Sequence, residues 1–454
     1  MPTPVIQRHK YDSRSCAIVR IIRAVSGGTD MSDSRLAIDG GTPVISDPLP
    51  TGVSGPSVIG DEEIAAVTEV LRSQELFRYP KSKSEAARFE EEAARRLGVE
   101  YALMVNSGTS ALISALIGVG VGPGDEVIVP GYTYIATAAA VMATGAVPVI
   151  AEIDESLGLD PQDLERKITP HTRAVVPVHM RGVPARLEDI LAVARKHGLK
   201  VVEDCCQCVG GDYMGQSVGT YGDAGAWSLN YYKTISSGEG GLVFTNDRDI
   251  YERACFAGDP GLPMWTASEE SVEWRNEPFP RQTYRPSEVL AAIVRVQLSK
   301  LDDILEHQRS LKRAFLEKLE EAKGYRIQHV DDPEGDTGVS ASVIVHDKEL
   351  AVGYAHALSA EGVRAATVYN DGFPDRHIYT YWDSILEKRS HHPSGYPWND
   401  PNYKGNVEYS KDMCPQTLDI LGRSLRFDFN MNMTVEHARL MAEALNKVDA
   451  AVGG

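Results

Sequence analysis

One lysine of the chain lies in a segment that is poor in other charges and rich in small residues. Lys233 falls in SLNYYKTISSGEGG, between two tyrosines and a Thr/Ser/Gly-rich run, and the next carboxylate along the chain is Glu239. A lysine shielded by aromatic and apolar groups loses part of its preference for the ammonium form, which leaves an amine able to attack a carbonyl. For this segment alone, a solvated lysine in a flexible loop is the alternative.

A second stretch has the composition of a phosphate site. NSGTSAL, residues 106–112, is expected where a strand ends and a helix begins. Gly108 permits close approach of the backbone, Thr109 and Ser110 offer hydroxyls, and the free N–H groups at a helix start carry partial positive charge. A simple helix cap by serine or threonine explains the same residues, so this motif by itself leaves both interpretations open.

Two acidic residues directly follow an apolar run. VVEDCCQCVG places Glu203 and Asp204 at the end of a predicted strand, and Gln207 follows three residues later. A carboxylate in this position can bind a metal, act as a base or pair with a cationic ring nitrogen. An ordinary helix cap after the strand is the alternative.

The order of these motifs narrows the chemistry. A phosphate cradle, Asp204, Ser228 and Lys233 follow one another on an alternating strand and helix pattern. They are the parts needed to hold pyridoxal 5′-phosphate, namely an anchor for its phosphate, a carboxylate for its pyridinium nitrogen and an amine for its aldehyde. We therefore expect that cofactor, and no metal.

The elements that must position these residues are apparent between about 60 and 255. The segments YALMV, DEVIVP, VPVIAEI, RAVVPVHM, KVVEDC, GAWSLN and GGLVFTN are rich in valine and isoleucine, and most are separated by helical patterns. This alternation predicts an α/β fold with a mostly parallel sheet flanked by helices. In such folds ligands collect beyond the carboxyl ends of the strands, where the candidate residues are expected.

The length of 454 residues favours more than one domain. We expect residues 1–30 to be a disordered extension, 31–285 a large domain that binds the cofactor, and 286–454 a smaller C-terminal α+β domain with a linking helix. The aromatic, Pro/Gly-interrupted stretch at 377–405 is expected to be a long binding loop of that smaller domain.

Composition excludes several classes of protein. The formal net charge is −18, which argues against binding to nucleic acid or to anionic lipid. No apolar run reaches membrane-spanning length. Six cysteines include the cluster EDCCQCVG, but no second pair has zinc-ligand spacing. Buried free thiols of a cytoplasmic protein are the expectation.

With these motifs in place, the sequence resembles the DegT/StrS family of sugar aminotransferases from about residue 36 to the C-terminus. The resemblance is carried by LAIDGGTPV, NSGTSAL, GDEVIVPGYTYIATAAAV, VPVHMRG, VVEDCCQ, SLNYYKTISSGEGG and CPQT. It implies the seven-stranded sheet of the aspartate-aminotransferase fold (fold type I) and a homodimer with shared active sites. It also implies a transaminase that moves an amino group from glutamate or glutamine to a keto-sugar, with a nucleotide-linked substrate, for antibiotic or glycan biosynthesis.

The resemblance also implies roles for single residues. Lys233 would hold the cofactor covalently and carry protons, and Asp204 would keep the pyridinium nitrogen protonated. The remaining cofactor contacts would come from Gln207 at the phenolic oxygen, Gly108, Thr109 and Ser228 at the phosphate, and Tyr134 over the ring face. His179 falls in a motif often written VHLYG in this family, near the site but without an assigned role.

The sequence departs from the family in two places. Where the family often has GxNxRMxxxxAA, this chain has RQTYRPSEVLAA, which keeps Arg285 but replaces other positions. Arg285 is expected to contact phosphate across a dimer interface. The RNHG-like loop that precedes this segment in the family is replaced by FAGDPG. Both departures and the insertion HHPSGYPW predict altered substrate recognition, and the insertion resembles the branch that acts on larger sugars, such as eight-carbon ones.

Alternative functions remain within the same family. A keto-cyclitol (an inosose) could replace the keto-sugar as amino acceptor, and the sequence does not separate the two. A sugar dehydratase dependent on the same cofactor is a further alternative, but such members have a histidine in place of the lysine, so Lys233 argues against it.

Overall fold

The computed structural model describes residues 35–78, 84–260, 274–370 and 374–453. The predicted extension at 1–30 therefore lies outside the described residues. The two longest described helices have 18 residues each, and within the described ranges no helix is long and apolar enough to cross a membrane. The helices are α1 Asp61–Ser73, α2 Glu85–Leu97, α3 Gly108–Gly118, α4 Ala136–Thr144, α5 Pro161–Lys167, α6 Leu187–His197, α7 Arg248–Gly258, α8 Glu288–Ser299, α9 Leu301–Lys318, α10 Lys348–Ala360, α11 Asp383–Leu386, α12 Pro415–Arg423 and α13 Val435–Val452.

A seven-stranded sheet forms the centre of the larger part of the molecule. Its strand order is β1-β9-β8-β5-β4-β2-β3. β9 runs antiparallel to both of its neighbours, and the remaining adjacent pairs are parallel. The strands are β1 Tyr101–Val105, β2 Glu126–Pro130, β3 Val147–Ala151, β4 Thr172–Val175, β5 Lys200–Asp204, β8 Ala224–Ser228 and β9 Gly241–Thr245, with the short hairpin β6 Asp212–Tyr213 and β7 Gln216–Ser217 between β5 and β8.

Helices cover both faces of this sheet, which is why its strands are almost entirely buried. α3 is buried along nearly its whole length and packs against α4, α7 and β8. The predicted α/β class with a mostly parallel sheet is confirmed, and all seven strand segments proposed from the sequence form strands. Because β1, β2, β4, β5 and β8 are parallel, their carboxyl ends meet at one edge.

A second core lies around a three-stranded antiparallel sheet. It consists of β10 Tyr325–Ile327, β11 Ser340–Val345 and β12 Ser424–Asp428, in the order β10-β11-β12. Helices α9, α10 and α13 pack here, and so do Leu36 and Ile45 from the beginning of the described chain. α8 packs instead on α1 and α2. The domain boundary at residue 285 remains a prediction.

The segment 377–405 makes its main contacts with the large sheet. Tyr379, Trp382, Trp398 and Tyr403 belong to the same apolar core as β2 and β3. The hydroxyl of Tyr403 donates to a carboxylate oxygen of Glu126 at 2.7 Å. The aromatic residues that suggested a binding loop are therefore mostly buried, because large apolar rings gain more from the core than from solvent exposure.

Candidate active site

An open cavity of about 760 Å³ lies at the carboxyl edge of the large sheet, where it meets the smaller sheet. The described chain therefore supplies both walls, from strand ends of one sheet and from β11 and β12 of the other. The residues that line it include Ser107, Gly108, Thr109, Thr133, Tyr134, Thr137, Arg181, Asp204, Cys206, Gln207, Ser228, Asn230, Lys233, Glu239, Ser340, His377, Asp428 and Asn430.

Asp204, the last residue of β5, is fixed by hydrogen bonds to both of its carboxylate oxygens. The hydroxyl of Thr137 donates to Oδ2 at 2.8 Å, and the backbone N–H of Cys206 donates to Oδ1 at 3.0 Å. Thr133 and Thr137 are in turn joined by a 2.7 Å hydrogen bond between their hydroxyls. These hydrogen bonds fix the orientation of the buried Asp204 carboxylate.

Lys233 reaches the same cavity from the loop after β8. Its backbone N–H donates to the carbonyl of Asn230 at 3.0 Å, which closes a turn. Within the described chain, its amine forms neither a hydrogen bond nor an ion pair. Burial lowers the pKa of Lys233, whereas the nearby Cys206 and Asp204 act to raise it. The net effect is a pKa below that of an exposed lysine, so a larger fraction of the Lys233 amine is neutral.

The beginning of α3 and the end of β8 lie close together, and their backbones form a pocket that we call the cradle. Ser107 caps α3, since its hydroxyl accepts the N–H of Ser110 at 3.1 Å. The first N–H groups of a helix, here those of Gly108 and Thr109, have no partner inside the helix. A Cβ atom built on Gly108 would lie 2.6 Å from Cβ of Ser228. Glycine is therefore required for this approach, and the open donors suit a phosphate.

Two further predicted residues, Tyr134 and Gln207, line the cavity. The ring of Tyr134 is 46% exposed and lies 5.3 Å from the ring of His377, at an angle of 51°. An exposed ring facing a cavity can stack on a planar ligand. Together with the cradle, Asp204 and Lys233, these groups fit an aromatic phosphate ester that carries an aldehyde.

Comparison with known proteins agrees with the resemblance that the sequence motifs suggest. A model of the DegT/DnrJ/EryC1/StrS aminotransferase family matches residues 57–393. The L-glutamine:2-deoxy-scyllo-inosose aminotransferase of Streptomyces paromomycinus is 33% identical over 432 residues, which is 92% of this chain and 96% of that protein. The GDP-perosamine synthase of Escherichia coli O157:H7 is 39% identical over 233 residues, which is 51% of this chain and 62% of that protein.

Among solved structures, DesI in the presence of its TDP-sugar product has 25% identity and a TM-score of 0.69, and the match covers 92% of this chain and 96% of that one. The family match extends over most of the described sheet domain. The chain belongs to the DegT/DnrJ/EryC1/StrS aminotransferase family. The resemblance inferred from the sequence motifs is thereby confirmed, and with it the class of enzyme, a transaminase of a family that depends on pyridoxal phosphate.

His179 lies next to the site, and its hydrogen bonds give it a structural role. Its ring is fully buried and contacts Glu203 Oε2 through Nε2 at 3.1 Å, while Nδ1 accepts the backbone N–H of Ala185 at 3.0 Å. Nε2 therefore carries the ring hydrogen and donates a hydrogen bond to the carboxylate of Glu203. His179 holds the loop after β4, and it is not among the residues that line the cavity.

Glu203, His179 and Cys205 are close enough to suggest a metal site. The oxygens of Glu203 already accept backbone N–H groups from residues 219, 221 and 222 at 2.6–2.8 Å. Both ring nitrogens of His179 are also bonded. Burial raises the pKa of Cys205 well above its usual value, so the thiol stays protonated. The candidate metal-binding atoms of Glu203 and His179 therefore already form hydrogen bonds within the protein, and Cys205 is a free thiol, as the sequence analysis expected.

Arg285 is not among the residues that line the cavity. Its guanidinium forms an ion pair with the buried Asp259 at 2.9 Å and lies over the ring of Phe77 at 5.3 Å. The neighbouring Tyr284 carbonyl accepts the N–H of Asn106 at 2.9 Å, so the segment borders the phosphate cradle from outside. A contact of Arg285 across a dimer interface stays a prediction.

The polar residues of the cavity that the sequence analysis missed include Thr137, Arg181 and His377. Thr137 lies in PGYTYIATAAAV, one helical turn after Thr133, which was the available signal. His377 lies more than 170 residues from Asp204 in sequence, and its ring Nδ1 donates a hydrogen bond to Asp375 Oδ1 at 2.6 Å. The insertion HHPSGYPW supplies none of the described lining residues, so the cavity gives it no direct role in recognition.

Replacing Gly108 with alanine is expected to push β8 and α3 apart, because the new methyl group would overlap Ser228. Overpacking of this kind lowers the free energy of unfolding by about 1–3 kcal/mol, and the distorted cradle should retain cofactor poorly. Chemical denaturation and cofactor content after dialysis measure the two effects. Gly122→Ala is the control, because a Cβ there meets nothing within 4 Å; equal behaviour of the two variants would contradict the close-approach argument.

The lowered pKa of Lys233 predicts the pH dependence of cofactor attachment. Only the neutral amine attacks an aldehyde, so the rate of reconstitution should rise with pH and reach half of its maximum below the pKa of an exposed lysine. Stopped-flow absorbance on cofactor-free protein measures it. In Asp204→Asn the midpoint should move further down, since the Asp204 charge acts to raise this pKa. A midpoint at the ordinary lysine value would contradict the effect of burial.

Proposed function

We propose that this protein transfers an amino group from glutamate or glutamine to the carbonyl carbon of a keto-sugar or keto-cyclitol, with pyridoxal 5′-phosphate bound by Lys233. The observation that carries the proposal is that a buried carboxylate, an unpaired amine and a phosphate cradle face one cavity at the sheet edge. When bound, the cofactor supplies an electron-withdrawing ring that stabilises negative charge on the substrate carbon.

The positions of the side chains support a role for each. Gly108, Thr109 and Ser228 would bind the phosphate of the cofactor. Asp204 would pair with the pyridinium nitrogen, and the bonds from Thr137 and Cys206 orient its carboxylate. Charge pairing in a buried site holds the proton on that nitrogen. Asp204 would therefore keep the ring able to withdraw electrons from the substrate carbon.

Lys233 moves the proton. Its amine is partly desolvated and without a fixed partner in the described chain, so it can accept a proton from the substrate carbon and return one on the other side of the transfer. Tyr134 limits the tilt of the ring by covering its face, and Gln207 donates to the phenolic oxygen. Both assignments follow the family motifs and agree with their position on the cavity wall.

The acceptor belongs to one of two classes that the relatives' names suggest. An inosose aminotransferase matches over nearly the whole chain, and a GDP-perosamine synthase matches over a shorter part with higher identity. We favour a polyhydroxylated cyclic ketone, either a nucleotide-linked keto-sugar or a cyclitol. The polar walls contributed by Asn230, Asp428 and Asn430 supply hydrogen-bonding groups for its hydroxyls.

A half-reaction assay tests the proposal. The purified enzyme should show a visible absorption band that borohydride removes, and glutamate or glutamine should convert that band to the amine form of the cofactor. The amine form is then mixed with a panel of keto-sugars, nucleotide-linked keto-sugars and inososes, and return of the visible band identifies the acceptor class. Failure of every amino donor to alter the band would refute the transaminase assignment for this chain.

We further propose that two copies of the chain share their active sites, with Arg285 next to the partner's cofactor phosphate. The carbonyl of Tyr284, the residue before Arg285, accepts the N–H of Asn106 beside the cradle, and this position near the phosphate site supports the proposal. Light scattering on the active enzyme should give at least a dimer. A fully active monomer would remove the cross-subunit role.

A further inference from the structure

Arg181 lines the active-site cavity, and the roles proposed for the site do not use it. It follows β4, two residues after His179, at a position where the family motif VHLYG has a tyrosine. Its Nε is buried without a hydrogen-bond partner. Among the described residues, its guanidinium forms no ion pair. A buried N–H group without a partner is unfavourable unless a ligand completes it.

The backbone of Arg181 is held in a conformation that side chains rarely adopt. Its φ is 55° and its ψ is 35°, in the left-handed region. The carbonyl of Arg181 accepts the hydroxyl of Ser340 at 3.0 Å, and the carbonyl of Gly182 accepts the N–H of Thr337 at 3.0 Å. Contacts from the smaller sheet therefore impose this strain, which is a feature associated with functional positions.

The acidic groups around Arg181 are bonded to other residues. Asp428 pairs with Arg426 at 2.8 Å, Asp375 with His377 at 2.6 Å, and Glu239 accepts the side-chain amide of Asn230 at 3.0 Å. Burial is the largest cause of the lowered pKa of both Lys233 and His377, and the positive charge of Arg181 lowers both further. The charge of Arg181 also helps to lower the pKa of Asp375, but that carboxylate is hydrogen-bonded to His377, and no described carboxylate forms an ion pair with Arg181.

We propose that Arg181 binds a substrate carboxylate attached to the reacting carbon, and so orients that carbon towards Lys233. The planar guanidinium can hold a carboxylate with two parallel hydrogen bonds. A carboxylate next to the reacting carbon lies one bond from the site of proton transfer, which agrees with the position of Arg181 and Lys233 on the walls of one cavity. The α-carboxylate of the amino-acid donor has this chemistry, and so has the carboxylate of a keto-acid sugar.

The inference rests on the proposed transaminase function. Half-reactions distinguish the two possible sources of the carboxylate, the amino-acid donor and a keto-acid acceptor. In Arg181→Gln, kcat/KM for L-glutamate and L-glutamine should fall roughly 30- to 100-fold, mainly through KM, because a charge-assisted pair is lost. Arg181→Lys should lose less, since it keeps the charge. Isoglutamine, whose α-carboxyl is a neutral amide, should react slowly with wild type and equally slowly with Arg181→Gln. A loss confined to keto-acid acceptors would assign the carboxylate to the ketone.

A binding measurement gives a readout independent of turnover. Calorimetry with glutarate on the holoenzyme should show a dissociation constant that rises by a similar factor in Arg181→Gln, with cofactor content unchanged. Unchanged kinetics and glutarate binding would overturn the proposal, as would an equal loss with glutamate and isoglutamine or a loss of cofactor alone. If wild type reacts with no donor, the transaminase assignment fails, while glutarate binding still tests Arg181.

Discussion

Replacing Lys233 with alanine is expected to abolish transamination, with a fall in kcat of at least about 10³- to 10⁴-fold, because the proton carrier and the covalent attachment of the cofactor are lost together. The amine faces the cavity beside Asp204, and it has no other partner in the described chain. Single-turnover mixing of the variant with cofactor, glutamate and the ketone measures the effect. The visible band of the attached cofactor should also be absent.

Two matched variants separate the explanations. Lys233→Arg keeps a long cationic side chain, but a guanidinium stays protonated, so it should be as inactive as alanine. Lys196→Ala removes a lysine whose side chain is 66% exposed and paired with Glu165, and it should leave turnover unchanged. Full turnover in Lys233→Ala would refute the assignment of this residue.

Replacing Asp204 with asparagine is expected to leave the cofactor bound while turnover falls roughly 10²- to 10³-fold, the size seen when a fixed electrostatic partner is removed. Asparagine is almost the same size and can still accept the N–H of Cys206, so the phosphate cradle should be intact. It carries no charge, and the ring nitrogen then loses the group that keeps it protonated. Cofactor content and steady-state kinetics give the two readouts.

Thr137→Val provides a graded comparison for Asp204. The substitution removes the hydroxyl that donates to Oδ2 at 2.8 Å and leaves the charge in place. A hydrogen bond to a charged group contributes about 1.5–3 kcal/mol, so this variant should lose less turnover than Asp204→Asn. Near-normal rates in Asp204→Asn would refute the pairing with the ring nitrogen.

Much of the fold and the motifs of the site could be predicted because they are local in sequence. Strands of the large sheet are continuous runs of branched apolar residues, since both of their faces are buried. Asp204 and Ser228 end such strands, and parallel strands bring their carboxyl ends to one edge of the sheet. The positions of Asp204, Ser228, Gly108 and Lys233 around one cavity follow from that rule.

The contacts that decide what each side chain can do are distant in sequence, so the sequence did not reveal them. Thr137 donates to a carboxylate 67 residues away. The aromatic segment at 377–405 was expected to bind ligand, yet most of its rings complete the core behind β2 and β3. Hydrophobic burial is non-directional, so composition alone cannot distinguish a ring that faces a cavity from one that faces a core.

The sequence by itself therefore determined the reaction chemistry, because a helix start with glycine and hydroxyl residues, an aspartate and a lysine each follow a strand of an α/β pattern. The tertiary structure alone decided which charges are left for a substrate. Both ring nitrogens of His179 are hydrogen-bonded, to Glu203 and Ala185, whereas Arg181, whose backbone carbonyl accepts the Ser340 hydroxyl, lines the cavity and forms no ion pair within the described chain. That difference depends on hydrogen bonds between residues up to 159 positions apart, which only the folded chain brings together.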